Sequence, residues 1–379
     1  MLLALTKTYK FCNPNQNHLI MKKILFFFIL GIVSCSPQRV EEIQTLTTQQ
    51  ADIPLLLSDI GNKLKILQIE TEYPIGPTPE IALSEKYIYL FDQDYTQALY
   101  QIDYSGTVIR SIQFDMDEKL NINGINNLVV KNNKPGLVYM GTKIIWFDEY
   151  FNEEKTETMS GAANYHYPYR EGYVAFNNRI NEDVDFDFFA SSKSGLIDQA
   201  LPINPDEYKF VYKSNAPFAN WKKSLLFTRS FDNKIYIYET KNGLKPFAQV
   251  DFGNNAIPTD QLMKIKNTFD MMSFLNNNSF SYLSGEIYAL NDKTIILGNT
   301  TKGKTSFGVW KYGEKKITTY PRIKDNFKSE MDLFHISSSA HGKTVFGING
   351  EYVKSKASEN FKKNYKEGFE NSFFILVLE

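Results

Sequence analysis

The sequence predicts an all-β fold: a six-bladed β-propeller, closed by an N-terminal outer strand and carrying short helical insertions. Three observations lead there. The 379 residues are 42% hydrophobic and 15% aromatic, with 29 Phe and 23 Tyr, a composition suited to packed sheets. Short apolar-aromatic runs split by Gly, Asn, Asp and Lys recur as paired strands, six times over. Regular hairpins repeated in this way indicate radial four-stranded units.

Taken from the N-terminus, MKKILFFFILGIVSC (21–35) has a charged head, an apolar run of ten residues from Ile24 to Val33, and small Ser34 before Cys35. These are the parts of a secretory signal. The run is short of the roughly 20 apolar residues that a bilayer span needs. Ile32-Val33-Ser34-Cys35 resembles a bacterial lipobox, which makes Cys35 the acylated first residue of the mature chain. Met21 is then the natural start, and residues 1–34 form an upstream extension and lipoprotein signal peptide. Ser36 after the cysteine favours an outer-membrane anchor, on the periplasmic or the surface side. Residues 35–58 are polar and unpatterned and are expected to be a lipid-anchored tether. The propeller is expected over 59–379.

KLKILQIETE (63–72) has strand character, and it precedes YIYLF (87–91), ALYQID (98–103) and TVIRSI (107–112). Asp103-Tyr104-Ser105-Gly106 supplies a tight turn. The strand–turn–strand unit then recurs at 136–141 with 143–148, 172–177 with 186–191, 224–229 with 234–239, and 294–299 with 306–311. The last pair is 344–349 with 372–378. Near-helical spacing of apolar residues over 260–277 predicts a helix between two blades, and 351–367 a second one inside the last blade. The last blade ends on its third strand at Glu379, and an open edge invites aggregation. Residues 63–72 can supply the missing strand and close the ring.

IGPTPEIALSEKYIYLFDQDYTQALYQIDYSGTVIR (75–110) resembles an NHL-type propeller repeat. It has a Gly-Pro opening, an Ile-Ala strand, two strands ending in Asp, a turn Gly and a Val-Ile strand. From lipobox to the Asn-led hydrophobic strand at 371–378, the chain resembles the six-bladed β-propeller lipoproteins of Bacteroidota-type bacteria. The resemblance implies fold and location and carries over no catalytic residue.

Charge and cysteine content exclude several classes. Formal charge is −1, and without the four lysines of residues 1–34 the chain has 38 basic against 43 acidic residues. With no basic stripe, a nucleic-acid partner is not expected. The only cysteines are Cys12 and Cys35, so the body has no thiol for a disulfide, a zinc–thiolate site or cysteine catalysis. Gly-x-Ser-x-Gly, His-Glu-x-x-His and phosphate-cradling glycine motifs do not occur. No cofactor, metal or catalytic residue is therefore assigned.

Asp92-Gln93-Asp94 places two acids two apart. A helix–loop–helix calcium site would need glycine at the position of Gln97 and a bidentate acid at that of Asp103, so a hairpin turn is favoured. In NEDVDFDF (181–188) the acids alternate with apolar residues, which reads as a solvated strand face, with a cation site as the alternative. His335 lies in DLFHISSS. The stretch NYHYPYR concentrates flat aromatic faces around a histidine, so Tyr165, His166, Tyr167, Tyr169 and Arg170 are the candidate ligand-binding residues. The expected function is an envelope-anchored binding or scaffold module for a glycan, a peptide or an envelope protein, working as a monomer. The alternative is a lactonase- or lyase-like enzyme with a metal or carboxylate site at the central channel.

Overall fold

The computed structural model describes residues 43–379, apart from 115–121, 179–184, 193–194, 204–214 and 366–367. Cys35, the signal segment and the first part of the expected tether lie outside these residues. Six four-stranded antiparallel blades surround a channel, with strands lettered a to d from the channel outward. Blade 1 comprises Glu80–Leu83, Tyr87–Asp92, Ala98–Asp103 and Val108–Gln113. Blade 2 comprises Ile125–Lys131, Lys134–Tyr139, Lys143–Phe147 and Glu153–Thr158, and blade 3 Tyr165–Tyr169, Gly172–Phe176, Phe186–Ser192 and Gly195–Pro202. Blade 4 comprises Phe218–Trp221, Ser224–Phe227, Lys234–Glu239 and Gly243–Asp251, and blade 5 Tyr282–Ala289, Thr294–Thr301, Lys304–Lys311 and Lys316–Tyr320. The expected strand pairs are the b and c strands of blades 2–6; the run of three at 87–112 supplies strands b to d of blade 1.

Blade 6 joins the two ends of the ring. Ser338–Ala340, Lys343–Asn349 and Phe373–Leu378 take Leu64–Ile69 as their outer strand, with Leu64 opposite Leu378 and Ile69 opposite Phe373. Both faces of that strand are covered, which explains its adjacent apolar residues. Leu64 and Ile66 pack into the wedge toward blade 5, while Leu67 and Ile69 pack into the wedge toward blade 1. The other blades repeat this plan, so the core is a set of wedges between neighbouring blades. Between blades 3 and 4 the wedge is built largely from aromatic rings, among them Phe188, Phe218, Phe227 and Tyr238.

Two expectations need correction. Residues 44–50, expected within the tether, form the strand Gln44–Gln50. It pairs in parallel with outer strand d of blade 4 and with outer strand d of blade 5, fusing those blades into one nine-stranded sheet. Leu55–Leu56 then pairs with Ile323–Lys324, and Leu46, Leu55 and Leu57 are fully buried or nearly so. Each expected helix is also divided. The first becomes Thr259–Leu262 and Thr268–Asn277, the second starting where Asn267 Oδ1 accepts from Asp270 N at 2.8 Å, an N-cap that interrupts the apolar period. The second becomes Gly350–Lys356 and Glu359–Lys362.

Antiparallel connectivity sends a–b and c–d turns to one face of the ring and b–c and d–a connections to the other. Both helical insertions are b–c or d–a connections. Among the described residues, the helical insertions therefore lie on the second of these faces, and the first carries the short a–b and c–d turns.

Candidate functional site

The central channel encloses about 950 Å³ and is lined by the innermost strands of all six blades. Its wall is stitched from blade to blade. Leu128 N donates to Glu80 Oε2 at 2.7 Å, joining blades 1 and 2. Asn127 bonds the His166 backbone both ways, Nδ2 to O at 3.2 Å and Oδ1 from N at 3.3 Å, joining blades 2 and 3. Asn220 Nδ2 donates to the Tyr167 hydroxyl at 2.9 Å, and Ile287 N to Ala216 O at 2.9 Å. The Tyr288 hydroxyl donates to Ile336 O at 2.8 Å, joining blades 5 and 6. A carboxylate, side-chain amides and hydroxyls, and one backbone bond thus carry the seams that the sheets cannot, because inner strands of neighbouring blades do not pair.

Of the five candidate residues, three reach the channel. Tyr165 is buried, with its ring stacked on Phe176 at 6.1 Å. His166 is 2% exposed; its Nε2 donates to Gly141 O at 2.8 Å, so the ring is the neutral Nε2–H tautomer. Burial lowers its pKa to about 4. Tyr167 is half-buried beside Phe218, and burial pushes its phenol up to about 12. Tyr169, at the end of strand a, and Arg170, in the a–b turn of blade 3, instead reach to blade 4. The Tyr169 hydroxyl donates to Lys223 O at 3.0 Å, and Arg170 Nη2 to the same oxygen at 2.8 Å. They tie two blades together.

The acidic candidates resolve differently. Asp92 is buried, and its carboxylate accepts from Gly76 N at 3.0 Å, Thr96 N at 3.0 Å and Thr96 Oγ1 at 2.9 Å. It organises the hairpin and the preceding Gly-Pro segment, as a turn reading expects, while Asp94 is exposed. In 181–188, Glu182 and Asp183 lie outside the described residues and Asp185 is exposed. Asp187 corrects the expectation of a solvated face. It is buried and pairs with Arg229 Nη1 of the neighbouring blade at 2.8 Å, and Arg229 Nε also holds Asp232 at 2.9 Å. Among the described residues, no group of three or more His, Cys, Asp or Glu is placed to hold a metal.

The polar lining that sequence reasoning did not single out is mostly amide and hydroxyl: Asn215, Asn220 and Ser337–Ser339, with Asn215 Nδ2 donating to Glu286 Oε1 at 3.1 Å. Burial raises the Glu286 pKa. His335 is exposed at the channel wall, its Nε2 3.3 Å from Ser337 Oγ, and partial burial lowers its pKa. On the insertion face His335 also borders a cleft of about 150 Å³ that includes Phe334 and Tyr352. The channel lining is therefore a mixed surface of amides, hydroxyls and aromatic rings with the ionisable Glu85, Asp94, His335 and His341 among them.

Against known proteins, a family model described as a 6-bladed beta-propeller matches residues 41–342. No curated protein matches the chain. Among solved structures, an exported protein from Bacteroides fragilis is similar in fold, with a TM-score of 0.65 and 14% identity, over 89% of this chain and 99% of that one. Virginiamycin B lyase from Staphylococcus aureus aligns at a TM-score of 0.44 and 13% identity, over 84% of this chain and 99% of that one. BamB from Moraxella catarrhalis aligns at 0.40 and 10%, over 75% of each chain.

Proposed function

The chain belongs to this six-bladed β-propeller family, and from that premise we propose that it is an envelope-anchored binding module. In this reading Cys35 carries the lipid and the central channel takes the ligand, a glycan or an extended peptide. The observation that supports it is the channel lining. Amide, hydroxyl and aromatic groups from six blades face a cavity of about 950 Å³, within the range of ligand pockets; Glu85, Asp94, His335 and His341 also line it, while Glu80 and His166 are committed to backbone partners in its wall. Amides offer donor and acceptor together, and aromatic faces stack on sugar rings or flat peptide groups.

The test fills the channel. Ser338 is half-buried on the innermost strand of blade 6, and Ser338→Trp places an indole in the cavity. Glycan and peptide libraries are screened by thermal shift against residues 36–379. A true ligand raises the melting temperature of the parent chain through mass action and leaves the blocked variant unmoved. Equal shifts in both would remove the channel from the reading, and turnover of a library member would replace binding with catalysis. For the anchor, Cys35→Ala is expected to move the protein from the membrane to the soluble fraction; unchanged partition would end that part of the reading.

A further inference from the structure

The strand that replaced part of the tether also sets where the body sits. Only seven residues lie between Cys35 and Ile43, so the eight steps between them reach at most about 28 Å. The strand enters the fold at the c–d turn of blade 5: Gln44 Nε2 donates to Glu314 O at 3.0 Å, and Thr47 N to Lys315 O at 3.0 Å. The chain therefore joins the body beside the turn face, between blades 4 and 5.

Six exposed lysines gather at that point, outnumbering the two exposed acids of the same turns, Asp292 and Glu314. Lys222 and Lys223 form the a–b turn of blade 4, Lys293 lies in the a–b turn of blade 5, and Lys311, Lys315 and Lys316 frame its c–d turn. These turns are physically joined, because Tyr312 N donates to Lys293 O at 2.8 Å and Lys222 Nζ lies 4.1 Å from both the Trp221 and Tyr312 rings. Among the described residues none of the six lysines forms an ion pair. Tyr312 is 45% exposed and stacks on Phe247, which puts an amphipathic ring among the cations. The turn side of blade 2 has the opposite character, with Glu149, Glu153 and Glu154 exposed. Lysines with a tyrosine are the surface chemistry that suits phospholipid headgroups.

We propose that this edge of the turn face docks on a bilayer surface bearing anionic phospholipids, next to the anchor, and turns the insertion face toward solvent. The orientation rests on the anchored reading of Cys35, whereas the docking surface can be tested without it. Residues 36–379, which carry no lipid and contain the closed ring with all its core wedges, are sedimented with phosphatidylcholine vesicles with or without phosphatidylglycerol. Binding is expected only to the anionic vesicles and is expected to fall as salt rises. A lysine at such a surface is worth about fivefold in partition, so Lys222→Glu, Lys223→Glu, Lys315→Glu and Lys316→Glu together are expected to cost at least tenfold. The control reverses Lys264, Lys266, Lys302 and Lys304 on the insertion face, which gives the same net charge, and is expected to retain binding. Circular dichroism verifies that both variants are folded. Absence of binding at low salt, or equal losses in the two variants, would overturn the docking surface. Because the protein tested has no lipid, neither result bears on the anchor, which stands or falls on the partition of Cys35→Ala.

Discussion

His166 shows how a residue chosen for its chemistry can serve the wall instead. With its ring buried and Nε2–H given to Gly141 O, it is held neutral, and its pKa falls to about 4 from an ordinary 6.5. Above pH 6.5 both the folded and unfolded forms are neutral and the contribution to stability is complete. As pH falls from about 6.5 toward about 4 the unfolded chain takes up the proton and the folded one does not, so stability drops by up to about 3 kcal/mol and then levels off. His166→Gln keeps a donor for Gly141 and removes the titration. Its melting temperature is expected to change less than the parent's between pH 7 and pH 4.5; parallel curves would contradict the buried neutral state. The aspartates follow another shared rule. Asp92, Asp103, Asp148 and Asp325 each cap backbone amides of the turn that follows them, and in every case the carboxylate accepts from the amide four residues on, donated by Thr96, Thr107, Asn152 and Ser329 respectively. This turn chemistry is local, which is why it could be read in advance for Asp92.

Among the elements, Gln44–Gln50 differs most from expectation. QTLTTQQ has one apolar side chain, Leu46, which is fully buried in the wedge between blades 4 and 5. The rest of its attachment is through backbone and hydroxyls, such as Thr48 Oγ1 to Asp251 O at 3.0 Å and Ala51 N to Thr319 O at 2.8 Å. Leu46→Ala is expected to cost about 2–4 kcal/mol, as for other buried leucines, while exposed Thr45→Ala should stay within about 0.5 kcal/mol. Chemical denaturation of the two variants checks this, and equal midpoints would mean the strand is not part of the cooperative unit.

For the molecule as a whole, stability depends on closing the ring. Leu64–Ile69 covers the edge of Phe373–Leu378, and Asn62 N and Glu379 N exchange bonds with Glu379 O and Lys63 O, so the two strands that close the ring lock each other. Three starts separate the contributions. A chain beginning at Ile43 keeps everything described. One beginning at Asp59 loses Leu46, Leu55 and Leu57 but keeps the closing strand, and is expected to melt lower yet cooperatively. One beginning at Glu72 loses that strand as well and exposes two wedges. With only about 5–15 kcal/mol holding a typical domain, it is expected to show no cooperative transition. Equal melting of the Asp59 and Glu72 chains would rule out the closure.

The sequence by itself determined the blades, the closing strand and the Asp92 turn, because alternation, turn residues and apolar runs are local signals carried by side chains. The innermost strands were less legible: Phe218–Trp221 and Ser338–Ala340 are short, and their outward neighbours hold the apolar runs. Only the tertiary structure decided that His166 faces Gly141 O and that Asp187 meets Arg229. It also decided that residues 44–50 join a sheet with partners some 200 to 270 positions away, as in the pairings of Thr47 with Asp251 and with Lys316. The reason is that such pairings are made by backbone groups common to every residue, so nothing in the side chains of QTLTTQQ names the strands on either side of it.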